Sequence, residues 1–236
     1  MKKEKGKMKD FLSPLLQTLL PSTCAACGEV LMHGERQICL DCVADLRETR
    51  DSAIADNATE RCLSGRFPFT AAMSLYQFRQ ENTVQKVVHA MKFHGNSELC
   101  LLMGRQLGLE LLHSGRFDDV DLLVPVPLHW IRRLKRGYNQ SALLCRGIAE
   151  VMPREINTTA VVRHRYTRQQ SRQQGANRSA NVEGAFRMRH PEQLEGHHVL
   201  LVDDVLTTGA TLSACADALL TVPNLKLSVA TFSIAR

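Results

Sequence analysis

The segment from His198 to Thr211 constrains the fold more than any other part of the chain. An unbroken apolar run ends in two carboxylates, Asp203 and Asp204, and a short loop then opens a segment rich in alanine and leucine. The loop residues are Thr207, Thr208, Gly209, Ala210 and Thr211. A continuous apolar strand that is followed by a helix is typical of a parallel sheet covered on both faces, which predicts an α/β fold.

The chemistry of this loop suits a phosphorylated sugar. A helix N-terminus presents unpaired backbone N–H groups and the positive end of a dipole, and both stabilise a phosphate dianion. Gly209 lets the backbone approach a ligand closely, and threonine hydroxyls can donate to phosphate oxygens. Adjacent carboxylates can accept hydrogen bonds from the two ribose hydroxyls. Because ligands of open α/β sheets bind at the carboxyl ends of the strands, we expect a phosphorylated ribose here.

Alternating strands and helices are predicted from about residue 71 onward. The predicted strands are Ala72–Phe78, Val120–Val126, Val199–Val202 and Leu227–Ile234. The predicted helices cover Val84 to Met91, Ser97 to Leu112 with Ser97 as N-cap, Ser141 to Val151 with Asn139 as cap, and Ala210 to Leu220. We therefore assign residues 71–236 to the ligand-binding α/β domain. Residues 46–70 are polar and are predicted to form an irregular linker.

Four of the eight cysteines form two Cys-x-x-Cys pairs, Cys24/Cys27 and Cys39/Cys42. Four thiolates suit a tetrahedral Zn²⁺, and because they fill its coordination shell the site would be structural. Two structural disulfides are the alternative, which requires an oxidising compartment. The zinc-finger module and the basic start of the chain are expected to occupy residues 1–45.

Charge and composition set broad limits on function. The formal charge of +6 and the pI of about 9.0 suit a polyanionic ligand, although solubility explains them equally well. Aromatic residues make up only 5% of the chain, which weighs against a single-strand binder built on aromatic platforms.

The lysine-rich start precedes an apolar stretch, Phe11 to Leu20, which is too short and too interrupted for a typical signal peptide. A cytoplasmic protein with no membrane span is expected.

Two segments carry a strong excess of arginine. Residues 122–149 contain no acid, and their cations are Arg132, Arg133, Lys135, Arg136 and Arg146. Residues 163–189 contain seven arginines and one acid, Glu183. This second segment is polar and lacks helical periodicity, so it is predicted to be a long mobile loop. A solvated basic face is the plainer explanation of the first segment.

Several strings resemble those of the ComF family. The acidic pair and the loop after it are similar to the signature with which type I phosphoribosyltransferases bind phosphoribosyl pyrophosphate (PRPP). The family strings are Val124-Pro-Val-Pro-Leu128, Arg136-Gly-Tyr-Asn-Gln140 and Asn181-Val-Glu-Gly-Ala-Phe186. In that family a four-cysteine zinc finger precedes a phosphoribosyltransferase-like domain, and the motifs have the same order here. Members often carry a further cysteine pair, of which only Cys62 remains in this chain.

The resemblance implies a set of binding residues. PRPP, with Mg²⁺, is expected on the loop Thr207 to Thr211, where Asp203 and Asp204 would orient the ribose. The residues implied for the pyrophosphate are Val126, Pro127, Leu128, His129, Arg132, Arg133 and Arg136. The arginine-rich loop could close over the site as a lid or contact single-stranded DNA. Its candidate residues are Arg165, Arg168, Arg172 and Arg178.

Three functions stay open at this point. The resemblance favours the handling of incoming single-stranded DNA during natural transformation, with the DNA-uptake machinery as a possible partner. The second is a catalytic phosphoribosyltransferase of nucleotide salvage or biosynthesis, and the third is a non-catalytic sensor of PRPP or ribose 5-phosphate. The sequence identifies neither an acceptor base nor an oligomeric state.

Overall fold

The computed structural model describes residues 22–93, 95–164 and 184–235. Its strands are β1 (Ala72–Phe78), β2 (Leu122–Pro125), β3 (Glu155–Ile156), β4 (Val161–Arg163), β5 (Phe186–Met188), β6 (His198–Leu206) and β7 (Lys226–Ala235). Five of them form one parallel sheet in the order β1-β7-β6-β2-β3. Strands β4 and β5 form a separate antiparallel pair. The predicted parallel sheet is therefore confirmed.

Helices cover both faces of this sheet. They are α1 (Leu40–Ala44), α2 (Ala58–Leu63), α3 (Thr83–Phe93), α4 (Ser97–Ser114), α5 (Trp130–Arg136), α6 (Gln140–Val151) and α7 (Ala210–Leu219). Alternate strand residues point to opposite sides, so that Leu123 and Leu200 belong to one buried cluster while Leu122 and Val199 belong to the other. Both clusters are apolar, which explains why the central strands are continuous apolar runs.

The predicted elements are present, with different boundaries at some ends. Helix α4 is capped by Asn96, whose side-chain oxygen accepts from the Leu99 N–H at 2.9 Å, and not by Ser97 as predicted. Asn139 caps α6 as predicted, because its side chain accepts from the Ser141 N–H. Helix α5 was not predicted. Its seven residues carry no buried side chain, so no apolar period identifies it.

Helices α4 and α6 cross with their backbones in close contact. A Cβ atom added at Gly147 would lie inside contact distance of the Leu101 carbonyl oxygen, and one at Gly104 would meet the Leu144 carbonyl oxygen in the same way. Only glycine fits at both positions. This crossing fixes α6, whose first turn contributes Ser141 to the site described below.

Residues 46–70 differ from the predicted irregular linker because they contain helix α2. Leu63 in this helix is fully buried and Phe67 is nearly so. The polar residues that suggested a linker are bonded inside the fold: the Asn57 amide donates to the Ala72 carbonyl at 2.8 Å, and Glu60 Oε1 accepts from the Ala72 N–H at 3.1 Å. This stretch is therefore packed against strand β1.

Some predictions fall outside the described residues. They concern Phe11 to Leu20, the arginines Arg165, Arg168, Arg172 and Arg178, and Asn181 to Glu183. In the part of the chain that the structure describes, no helix has the length and apolar character needed to cross a membrane.

Candidate functional site

Two carboxylates lie near the carboxyl end of β6. The strand continues to Leu206, so Asp203 and Asp204 belong to the strand and do not follow it. Asp203 Oδ1 accepts from Ser141 Oγ at 3.0 Å and from the Asp204 N–H at 2.9 Å. Asp204 Oδ2 lies 3.1 Å from Lys92 Nζ in an ion pair that is largely shielded from solvent. Three chain segments therefore meet at the acidic pair.

The environment of Asp203 disfavours its charged form. Burial raises its pKa most, the charge of Asp204 raises it further, and the Asp204 N–H, Ser141 and Lys92 only partly offset this. The resulting pKa is about 7. Asp203 can therefore change its protonation state near neutral pH.

The loop after β6 places a helix N-terminus at the same edge of the sheet. Gly209 has a φ of +76°, as the close turn requires, and it is the N-cap of α7. Because glycine has no side chain, no capping group occupies the first N–H donors of this helix. Those donors and the positive end of the helix dipole are available to an anion beside Thr207 and Thr208.

Helix α2 and the residues after it contribute contacts that the sequence did not predict. A Cβ atom at Gly209 would lie 3.3 Å from Arg66 Cδ and Nε. Arg66 Nε donates to the Cys62 carbonyl at 3.0 Å, and Cys62 Sγ lies 3.7 Å from the Thr207 carbonyl oxygen. Cys62 therefore lies at the loop after β6, and a cation, Arg66, lies beside the same turn.

The predicted pyrophosphate loop follows strand β2. The Val126 N–H donates to the Val202 carbonyl at 2.9 Å, and the Val126 carbonyl accepts from the Asn139 side chain at 3.0 Å. His129 is buried, and its Nδ1 accepts from the Ile131 N–H at 3.3 Å at the start of α5. Pro127 and Leu128, between them, are half-buried. The hydrogen bond of Val126 thus holds the loop beside β6, and the hydrogen bond of His129 connects it to the start of α5.

Arginines from two elements act on the acidic pair. Arg136 Nη1 donates to Gln140 Oε1 at 3.0 Å. Burial lowers the pKa of Arg136, as does the charge of Arg132, while Asp204 opposes the shift. Burial likewise lowers the pKa of Arg163, again with a contribution from Arg132, and here Asp203 opposes it.

Arg136 therefore lies within electrostatic range of Asp204, and Arg163 within range of Asp203, while Arg132 lies within range of both arginines. Arg133, by contrast, is exposed on α5.

The four N-terminal cysteines form one cluster. The Sγ atoms of Cys24, Cys27, Cys39 and Cys42 all lie within 4.8 Å of one another. Each of the eight cysteines lies in the described part of the chain, and none is in a disulfide. The cluster could hold a metal ion such as zinc, since four thiolates at this spacing match a tetrahedral soft-ligand site.

Backbone donors support the thiolate form of Cys24. Its Sγ accepts from the Ala26 N–H at 3.4 Å and from the Cys39 N–H at 3.3 Å. Burial raises the pKa of Cys24, but the backbone N–H groups outweigh burial and lower it to about 6. Gly28 follows the first pair with a φ of +82°, a conformation that glycine adopts readily and that suits the tight turn after the pair.

Comparison with known proteins gives a consistent set of relatives. A family described as "Phosphoribosyl transferase domain" matches residues 139–232. DNA utilization protein YhgH of Escherichia coli strain K12 is 33% identical over 215 residues, which cover 85% of this chain and 92% of that protein. Competence protein F of Haemophilus influenzae is 31% identical over 133 residues, covering 54% and 57% of the two chains. Competence protein ComFC of Bacillus subtilis is 25% identical over 206 residues, covering 87% and 74%.

Proposed function

The chain belongs to the ComF family, and on that premise we propose that it binds PRPP at the end of strand β6 and takes part in handling incoming single-stranded DNA during natural transformation. One structural observation supports PRPP binding. Two carboxylates and an uncapped helix N-terminus lie at one edge of the sheet, and Arg136 and Arg163 lie within electrostatic range of the carboxylates. A ribose with a phosphate at one end and a pyrophosphate at the other presents the complementary groups.

Each part of PRPP has a complement in this arrangement. The ribose hydroxyls donate to Asp203 and Asp204, and the 5-phosphate accepts from the first N–H groups of α7 and from the hydroxyls of Thr207, Thr208 and Thr211. Ala210, as the first residue of α7, supplies one of these N–H groups.

The pyrophosphate lies along Val126 to His129, next to Arg132 and Arg136. Arg133, on the exposed face, contributes charge at longer range. Mg²⁺ accompanies the pyrophosphate, since this hard cation prefers phosphate and carboxylate oxygens.

The acidic pair gives the sharpest test of the PRPP site. Replacing Asp203→Asn together with Asp204→Asn removes both acceptors for the ribose hydroxyls with little change of volume. We expect PRPP binding by calorimetry, with Mg²⁺ present, to be lost while the far-UV circular dichroism spectrum is unchanged. Asp217→Asn is the matched control, because this aspartate is exposed further along α7. Equal PRPP affinity in the double variant and the control would refute the assignment.

The phosphate loop is tested separately by Thr208→Val. This change removes one hydroxyl donor and nearly preserves side-chain shape. The expected loss of PRPP affinity is about 1–3 kcal/mol, the usual value for a hydrogen bond to a charged group. An unchanged affinity would mean that the hydroxyl of Thr208 does not contact the phosphate.

We further propose that the cysteine cluster binds zinc and that the N-terminal module, residues 1–45, is a structural zinc finger in front of the domain 71–236. The thiolate set supports zinc over harder cations. The closed set of four ligands supports a structural role. A reducing, cytoplasmic location agrees with free thiols.

The DNA part of the proposal is supported by the names of the relatives and by the basic segments. If the arginine-rich loop contacts DNA, single-stranded oligonucleotide affinity should depend strongly on salt. Each neutralised phosphate contributes about −0.7 to the log–log slope. Replacing Arg168, Arg172 and Arg178 with alanine should then flatten the slope by roughly two to three contacts' worth and leave PRPP affinity largely unchanged. If the loop is a lid instead, the triple variant should bind DNA normally and lose PRPP affinity.

Transfer of the ribose is a second candidate function, favoured by the arginines that lie within electrostatic range of the acidic pair. Asp203 and Asp204 would then orient the ribose, and Arg132 and Arg136 would stabilise the charge on departing pyrophosphate. The measurement is release of pyrophosphate from PRPP in the presence of a panel of nucleobases. Release that depends on one base would establish transfer. Binding without release under these conditions would favour the DNA-handling role without catalysis.

A further inference from the structure

Helix α5 presents apolar side chains to solvent beside the pyrophosphate loop. Trp130 is 62% exposed and Leu134 is 75% exposed. The two are four residues apart and therefore lie on the same face of the helix. Trp130 is also the one tryptophan in the chain. An exposed indole and leucine on one short helix indicate a binding surface, because large apolar side chains exposed together are costly unless a partner covers them.

The helix is fastened at both ends, so this exposure is not the result of a frayed terminus. At its start, buried His129 accepts from the Ile131 N–H. At its end, Gly137 adopts a φ of +83° and its N–H donates to the Arg133 carbonyl at 2.8 Å. The next residue, Tyr138, donates its hydroxyl to the Met91 carbonyl at 2.9 Å. The outward face of α5 is thus held in a fixed position.

Cations lie on the same helix as the exposed apolar side chains, and Arg133 and Lys135 are exposed together with them. Helix α5 carries Arg132, Arg133, Lys135 and Arg136, and no acid occurs anywhere in residues 122–149. The Arg136 guanidinium lies 5.4 Å from the centre of the Phe93 ring, and Phe93 is itself 60% exposed. From Trp130 to Arg136 the helix advances about 9 Å. We call the exposed side chains of this helix, Trp130, Arg133, Leu134 and Lys135, the α5 platform.

The charge of the platform selects among partners. Tryptophan and arginine also occur in protein interfaces, but a helix with four cations, in a stretch without any acid, is complementary to a polyanion. Single-stranded nucleic acid is bound by aromatic rings next to cations. We propose that the α5 platform binds single-stranded DNA, with one base stacked on the Trp130 indole and the neighbouring phosphates on Arg133 and Lys135. This inference rests on the proposed DNA-handling function and supplies its contact surface.

The position of an aromatic ring matters more for base stacking than the aromatic content of the chain. A low aromatic content predicts little stacking, but the percentage counts buried and exposed rings alike. Phe117 and Phe232, for example, are fully buried in the core and have no access to a base. One exposed indole at a basic surface is sufficient for one stacked base.

The single tryptophan makes the test direct. The full-length protein is titrated with a 15-mer of thymidine at low salt while the fluorescence of Trp130 is recorded. We expect saturable quenching, because a stacked base contacts the indole. An abasic sugar-phosphate strand of the same length serves as the control. It should bind with a similar salt slope but roughly 5- to 150-fold more weakly, and it should leave the fluorescence unchanged.

Variants give a second readout by anisotropy of a labelled oligonucleotide. Trp130→Ala should weaken DNA binding by the same roughly 5- to 150-fold without changing the salt slope, and Trp130→Phe should retain most of the affinity. Leu134→Ala removes a still more exposed apolar side chain from the same face, and it should change the affinity by less than about twofold since leucine cannot stack.

Three results would overturn the inference, and they can be told apart. DNA binding with unchanged Trp130 fluorescence and an unaffected Trp130→Ala variant would refute the platform while the DNA-handling function stands. Failure of any oligonucleotide to bind at low salt would refute both. Quenching by anionic phospholipid vesicles but not by the oligonucleotide would assign the platform to a membrane surface.

Discussion

The raised pKa of Asp203 predicts how PRPP binding depends on pH. A ribose hydroxyl donates to the carboxylate, so the binding form of the site is the one in which Asp203 is ionised. With a pKa of about 7, roughly 90% of Asp203 is ionised at pH 8 and roughly 10% at pH 6. We therefore expect PRPP affinity to fall roughly tenfold, or about 1.4 kcal/mol, from pH 8 to pH 6.

The assay is calorimetric titration of PRPP with Mg²⁺ at several pH values, with Asp203→Asn as the comparison. PRPP carries its own phosphate protonation near pH 6, but this contribution is common to both proteins and cancels in the ratio of their affinities. The variant should bind more weakly than the wild type at pH 8, and the ratio should approach one as the pH falls to 6. A ratio that is constant across this range would show that the ionisation of Asp203 is not linked to PRPP binding.

The remaining predictions concern stability and the metal. The pKa of Asp203 is higher in the folded protein than in the unfolded chain, so between about pH 4 and 7 the folded state binds more protons. The ligand-free protein should therefore lose stability as the pH rises through this range. Asp203→Asn should flatten this part of the plot of unfolding free energy against pH. Gly147→Ala should lower the free energy of unfolding by about 1–3 kcal/mol, because the added methyl group meets the α4 backbone. An unchanged urea midpoint would contradict the close crossing of α4 and α6. Purified protein should contain about one zinc per chain by elemental analysis, and Cys39→Ser should lose the metal and unfold mainly the residues before about 50. Metal-free protein with two disulfides by mass spectrometry would contradict the zinc finger.

The parts of the site that the sequence predicted are local in the chain. The strand that carries Asp203, the turn at Gly209 and the helix that follows are encoded within a few residues of one another. The two cysteine pairs are likewise recognised by their internal spacing, and the structure brings them together in one cluster. Local order of this kind is visible in a single sequence because the residues that interact are neighbours.

Residues that reach the site from distant segments could not be predicted in this way. Lys92 lies at the end of α3, and only the parallel order of the sheet brings it to Asp204. Arg66 and Cys62 lie in a polar stretch that resembles a linker. Their partners in the loop after β6 are more than 140 residues away in the chain, so no local pattern predicts these contacts. Helix α5 was not predicted, for a different reason. Its apolar side chains are exposed, so it lacks the buried stripe by which amphipathic helices are recognised.

The most direct test of the account is calorimetry of the wild-type protein with PRPP and Mg²⁺ at pH 8. We predict saturable binding of about one PRPP per chain, weakened or lost in the Asp203→Asn, Asp204→Asn double variant. Folded protein that gives no binding heat with either PRPP or ribose 5-phosphate at millimolar concentration would contradict the assignment of the loop from Asp203 to Thr211.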